Sequence, residues 1–170
     1  MSRHLDEFQV TMQTPEFERD GVEDLTSRRQ RWMATLARAD TPAIEARLAE
    51  IGPLPAYRRL RGPETGLVMV QGRAGGSGAA FNLGEMTVTR CTVHDERGRV
   101  GHAYVAGRDQ RKAELAAALD AALQDPEAGP ALEQAVIRPL AAALAAADGA
   151  LRAQAEATRV DFFTLATMRS

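Results

Sequence analysis

The chain has 170 residues, 21 basic and 23 acidic side chains, a formal net charge of -2 and a single cysteine, which is one domain's length of near-neutral polypeptide. Its 45% hydrophobic content includes 32 alanines, whereas Leu, Ile, Val and Phe together number 34. A buried large side chain contributes about 1.5–3 kcal/mol and a lone methyl far less, so the core is thin and is expected to borrow volume from a partner. There is no apolar run of about eighteen residues, no basic-then-apolar leader and no strong basic surplus, so a membrane span, a secretory signal and a nucleic-acid footprint are not expected. The lone Cys91 cannot form an intrachain disulfide, which fits a reducing, cytoplasmic setting.

Residues 1–25 carry most of the excess acid and no sustained period, and are expected to be a flexible extension ahead of a single domain over 26–170. Ser27 and Gln30 have capping-box spacing; Trp32, Met33 and Leu36 then follow helical spacing to about Asp40. Thr41-Pro42 opens a second helix with proline where its missing N–H costs nothing. Ile44, Leu48 and Ile51 form its apolar stripe, and Gly52-Pro53 ends it.

Ten of the 14 glycines fall between Gly62 and Gly107, interleaved with β-branched residues, and mark a Gly-rich sheet. Leu67 to Gln71 reads as a buried strand, Met86 to Val93 as a second strand, and Arg99 to Val105 as a third. The last two form an antiparallel hairpin closed by a four-residue loop, Asp95 to Gly98, with Val93 opposite Val100, Cys91 opposite His102 and His94 opposite Arg99.

Beyond Gly107 the chain is helical and Ala-rich. Asp109 is the expected N-cap, Leu115, Leu119 and Leu123 share a face, and Asp125-Pro126 stops the helix. A further helical stretch runs from Ala131 to about Thr158 with Leu132, Val136, Leu140, Leu144 and Leu151 on one side and a break or kink at Pro139. Val160 to Met168 returns to bulky, β-branched residues and reads as a final strand. Helices, sheet, helices, strand in that order predict an α+β fold with N-terminal helices, a central, mainly antiparallel Gly-rich sheet and Ala-rich C-terminal helices.

Chemistry is sparse. Arg73, Gly75, Gly76, Ser77 and Gly78 permit close backbone approach to a phosphate, yet no Gly-Lys-Ser/Thr follows and no dinucleotide fingerprint occurs, so a plain turn between strands competes with ligand binding. Ala79 stands where a nucleophile elbow around Ser77 needs glycine. Cys91 and His102 supply two metal ligands at most, fewer than a zinc site requires. Gly107-Arg108-Asp109 reads as strand end and helix cap, with Arg108 beside a helix N-terminus as an alternative anion contact. Asp161, Phe162 and Phe163 are the interface candidates, because adjacent phenylalanines in a strand point to opposite faces and a one-sided sheet cannot bury both. No catalytic residue and no metal set emerges.

The segments RQRWMATLARA (Arg29 to Ala39), ETGLVMVQGRAGGSGAAFNLGEMTVTRCTV (Glu64 to Val93), GHAYVAGRD (Gly101 to Asp109) and RVDFFT (Arg159 to Thr164), in that order, resemble the PhnG family, the G subunit of the bacterial carbon-phosphorus lyase core complex. The resemblance implies an accessory subunit without catalytic residues of its own or a cofactor of its own. With the H, I and L subunits it would support formation of α-D-ribose 1-methylphosphonate 5-triphosphate from ATP and methylphosphonate, with release of adenine. The I subunit would carry the nucleosidase chemistry. The J subunit, with an iron-sulfur cluster and S-adenosylmethionine, would later cleave the carbon-phosphorus bond, and the K subunit would be a further associate. An independent phosphate-ester binder or small enzyme using residues 73–78 is the alternative from a different class.

Overall fold

Alanine dominates the middle of the fold because space there is short. In the computed structural model, which describes residues 24–73 and 78–159, helix α3 (Gln110–Leu123) is buried at every position from Ala113 to Leu123. A helix enclosed all round is a core helix and needs no amphipathic stripe. One side of α3 meets a sheet of three antiparallel strands in the order β1 (Tyr57–Arg73), β2 (Ala80–Asp95) and β3 (Val100–Ala106). Its other side meets α1 (Leu25–Arg38), α2 (Thr41–Ile51) and α4 (Gly129–Leu132). A π-helical turn, Glu133–Ile137, joins α4 to the long α5 (Arg138–Ala157). The expected α+β arrangement is therefore present; the final strand over 160–168 and most of the acidic extension lie outside the described residues.

Small residues bring the layers together. A Cβ on Gly101 of β3 would sit 2.0 Å from the Ala117 carbonyl oxygen and 2.6 Å from the Ala121 nitrogen of α3. Only glycine allows that approach of backbone to backbone. The close spacing lets the Asp120 carboxylate, fully buried on α3, reach two other elements, α1 and β3. It accepts from Arg29 Nε (3.0 Å) and a second Arg29 nitrogen (2.6 Å), from Trp32 Nε1 (2.8 Å) and from the His102 backbone N–H (2.8 Å). Glu114, one and a half turns earlier, accepts both arms of Arg59 at 2.8 Å and the Tyr57 hydroxyl at 3.3 Å, pinning β1 to the same helix.

Several expectations shift by a residue or a turn. Helix α1 begins at Leu25 behind Asp24, so Ser27 is already inside its first turn and makes no cap. The β2–β3 loop has three residues, Glu96 to Gly98, because Gly98 adopts a positive φ of 78° and donates to the Asp95 carbonyl at 3.1 Å, while Asp95 N–H donates to Arg99. That is a type I turn followed by a left-handed glycine. Pairing slips by one from the four-residue expectation, placing His94 opposite Val100, Thr92 opposite His102 and Cys91 opposite Ala103. Since side chains alternate between faces, Cys91 is buried against α3 while His102 faces out. Leu67 to Gln71 lies on a long exposed strand, with Leu67 63% accessible. Pro139 does bring an irregularity, expressed as the π turn, in which Arg138 N–H reaches back to the Glu133 carbonyl. The expected apolar face of α5 keeps α1 beside it through the half-buried Leu144 and through Asp148, which pairs with Arg38 at 2.8 Å; farther along Leu151 is 66% accessible. The predicted caps elsewhere hold: the Asp109 carboxylate accepts from Lys112 N–H at 2.8 Å, and Pro42 stands in the first turn of α2.

At the far end of the sheet Arg99 bridges two carboxylates, Asp95 in the turn (2.6 Å) and Asp125 after α3 (2.5 Å). Burial alone would raise Asp95, but the backbone N–H and guanidinium of Arg99 and the Arg97 N–H outweigh it and hold the carboxyl below its usual range. Asp125 is depressed by Arg99 and by the N–H groups of Glu127 and Ala128.

Three predictions follow from this packing. Asp120→Ala leaves the Trp32 and His102 N–H groups unsatisfied and Arg29 uncompensated, and should cost about 3 kcal/mol in urea unfolding. Gly101→Ala drives β3 off α3 and should cost about the same. Both carboxyls at the Arg99 bridge titrate below their unfolded value of about 3.9, so their stabilisation is complete above that pH and is lost as the pH falls through the folded values. Urea midpoints should therefore hold down to about pH 5, drop below about pH 4, and drop less steeply in Asp125→Asn.

Candidate functional site

β3 is shorter than the strands beside it. Its last residue, Ala106, pairs with Val88, and Gly107 N–H still reaches the Thr87 carbonyl at 2.9 Å, so among the described residues the stretch of β2 from Ala80 to Met86 has β1 as its one strand neighbour. A two-stranded ribbon therefore projects from the sheet, and Arg73 paired with Ala80 lies at its tip. Isolated two-stranded ribbons are marginally stable in water, yet this one carries large apolar groups. Leu67 and Met69 (54% accessible) share one face, and Leu83 (62%) lies on the other, where it covers Gly72. Phe81 and Met86 are also exposed. The register slips between Val70 and Gln71, where Leu83 is the unpaired residue, and such a bulge bends and twists the ribbon. Apolar groups on both faces of an uncovered ribbon mark a surface made to be enclosed.

Of the sequence-predicted ligand residues that the structure describes, Arg108 lies apart from Arg73 and Gly78. Arg73 and Gly78 stand at the ribbon tip; Gly75, Gly76 and Ser77 lie outside the described residues. Arg108 follows the end of β3, eight residues back along β2 from the tip, which is roughly 25 Å at strand rise. The two arginines cannot hold one phosphate. At the start of α3 the anion position is already filled by Asp109, whose carboxyl is depressed first by the Lys112 N–H and then by the Thr41 hydroxyl. Asp161, Phe162 and Phe163 lie outside the described residues.

Nucleophile and metal chemistry find no support in the described residues. Burial pushes the Cys91 thiol up, and the Glu114 charge adds to it, which keeps the sulfur protonated and unreactive. Tyr57 is raised by burial and then by Glu114. Among the described residues no three His, Cys, Asp or Glu side chains gather as a metal site requires. A groove of about 560 Å³ runs between α2 and α3 over Leu48, Leu54 and Leu115, but its arginine, Arg111, is paired with Glu45 at 2.8 Å. The groove fits an apolar side chain better than an anion.

The exposure of the ribbon is what sequence pattern concealed. Leu67 to Val70 is continuous apolar sequence, which reads as burial; the corrective signal is the length of β3, whose seven residues counted back from the turn cannot reach past Val88.

A family model described as phosphonate metabolism protein PhnG matches residues 27–168. The chain is similar to the alpha-D-ribose 1-methylphosphonate 5-triphosphate synthase subunit PhnG of Rhizobium meliloti (strain 1021), with 44% identity over 139 residues, covering 82% of this chain and 88% of that protein. With the match extending from the first turn of α1 through the sheet, α3 and α5, this chain belongs to the PhnG family.

Proposed function

We propose that the chain is an accessory subunit of an α-D-ribose 1-methylphosphonate 5-triphosphate synthase, the assembly named for its relative, and that it works by holding other subunits in place. The observation that carries this reading is the projecting ribbon with Leu67 and Met69 on one face and Leu83 on the other. Large exposed apolar side chains on a monomer are costly to keep and serve as anchors in interfaces. The end of α5 adds a second overhang, since Leu151 has no neighbour among the described residues comparable to those around Leu140.

In this reading the partners are the H, I and J subunits of a carbon-phosphorus lyase core, with L and K associating. ATP and methylphosphonate are substrates of the assembly, and adenine is released. The iron-sulfur cluster and S-adenosylmethionine belong to the J subunit. Among the described residues no helix is long and apolar enough to cross a membrane, in keeping with a cytoplasmic enzyme.

Co-expression with the H, I and J subunits tests the role. The unaltered chain should co-purify with them. Leu67→Ser combined with Met69→Ser should leave the unfolding free energy of the chain within about 0.5 kcal/mol, because both sites face solvent, yet abolish co-purification and adenine release from ATP in the presence of methylphosphonate and the L subunit. Full assembly by that variant would refute the ribbon as anchor. Phe162→Ala with Phe163→Ala is the matching test for the C-terminal segment, with loss of assembly expected.

A further inference from the structure

An exposed strand edge offers unpaired N–H and C=O groups to other strands, and folded chains block such edges with bends, prolines or side-chain contacts. Two stretches of edge in this sheet are blocked. On β3 the Val100 carbonyl accepts from Arg29 and Gln124, and the His102 N–H donates to Asp120. At the base of β1 the register shifts between Arg59 and Arg61 and again between Arg61 and Glu64, and the second shift contains Pro63. The step where β3 stops has no such block. Asp95 N–H donates to the Arg99 carbonyl and Gly107 N–H to the Thr87 carbonyl, so the odd-numbered residues of β2 turn their backbone groups away from β1. Beyond Thr87 the next of these is Glu85, and no strand among the described residues pairs with its outer side.

Side chains along this step carry both signs of charge at a fixed spacing. On the face turned toward α3, Glu85 lies across the ribbon from Met69, and Arg73 lies across from Ala80. The slip at Val70 absorbs one residue of β2, so Glu85 and Ala80 are four pairing steps apart, about 13 Å. Ala80 carries a single methyl, which leaves the way from Arg73 to the open edge clear of any larger side chain. Among the described residues neither Glu85 nor Arg73 forms an ion pair. Arg108, the residue after Gly107, stands at the same step without pairing to Glu85, and Asp109 is engaged by the Lys112 N–H and the Thr41 hydroxyl. On the face turned away from α3, Phe81, Leu83 and Met86 are exposed.

We propose that the open edge of β2 from Ala80 to Met86 receives an extended strand from another subunit of the synthase, antiparallel to β2 and in line with β3. On its α3 side the arriving strand carries a basic residue beside Glu85 and, four positions later, an acidic residue within reach of Arg73. Its other side is apolar, against Phe81, Leu83 and Met86. In strand addition the main-chain bonds supply affinity and the side-chain pattern selects the partner. A second copy of this chain does not match: its own open stretches, 65–73 and 80–86, contain no basic residue followed four positions later by an acidic one. The outer edge of β1 over 65–73 is open as well, but it offers Arg73 without a carboxylate. The inference rests on the subunit reading above and adds the partner's chemistry and the edge it takes.

Hydrogen exchange and co-purification with the H, I and J subunits test it. In the assembled complex, amide exchange in peptides spanning 80–86 should be slower by about a hundredfold than in the isolated chain, as strand pairing requires. Unchanged exchange there would overturn the proposal, and so would slowing confined to 65–71, which would put the partner on β1. Glu85→Pro removes the outward N–H and leaves the bonds to β1 in place; it should lower co-purification about tenfold. Glu85→Lys and Arg73→Glu should each weaken assembly about tenfold while leaving the urea midpoint of the isolated chain unchanged, since both sites face solvent. Loss of assembly in Leu67→Ser with Met69→Ser, alongside full assembly of these three variants, would keep the ribbon as anchor and overturn the added strand. A dimer of the isolated chain that Glu85→Pro dissolves would place a second copy on the edge and overturn it as well.

Discussion

The fold depends on one carboxylate. Asp120 has no contact with water, and an ion so placed is tolerable only when each of its lone pairs is engaged. Its partners come from α1 through Arg29 and Trp32 and from the edge strand through the His102 N–H. The carboxylate therefore sets the relative position of the N-terminal helix, the central helix and the sheet at once. It also seals part of the open edge of β3, where an unpaired N–H would otherwise invite another strand. Such a network works only if the layers are close, and the closeness is what the alanines of α3 and Gly101 provide. The small side chains that thin the core are thus the condition for its most specific contact.

This relocates the deficit implied by composition. Alanine-rich α3 is enclosed by its own chain, and Trp32, Leu36, Ile44, Leu119 and Val136 fill the space around it. What the described residues leave uncovered is elsewhere, chiefly in the ribbon beyond β3 and in the last turns of α5, with exposed groups such as Tyr104 on the second face of the sheet. The protein divides into a part that satisfies its own contacts and two extensions that do not, a division suited to a component of a larger assembly.

Most local chemistry was legible, the Ser27–Gln30 capping box being an exception because α1 starts two residues earlier. Asp109 capping α3, Pro42 opening α2, Gly52 ending it and the Pro139 irregularity all follow from residues within one turn of each other. The hairpin turn was legible in kind but not in register, because Gly98 rather than Asp95 decides whether three or four residues form the loop, and that single residue moves every cross-strand pair. Arg29, Trp32 and Asp120 could not be associated from the sequence, since they meet across about ninety positions and none belongs to a recognisable motif. Arg108 does not join Arg73 for a geometric reason: the two flank the same sheet in sequence but occupy opposite ends of the projecting ribbon.

The Asp120 network also orders events in time. During synthesis α1 is the first of the described elements to emerge, but its docking partners, the His102 amide and the Asp120 carboxylate, are made some seventy to ninety residues later. Until α3 has cleared the ribosome, Trp32 has nothing to pack against and Arg29 no counter-ion. The hairpin of β1 and β2 needs only its own turn, and β3 with α3 needs only neighbouring sequence. Helix α1, made early, is therefore among the last of the described elements to be placed, and in that interval the nascent chain exposes its single tryptophan.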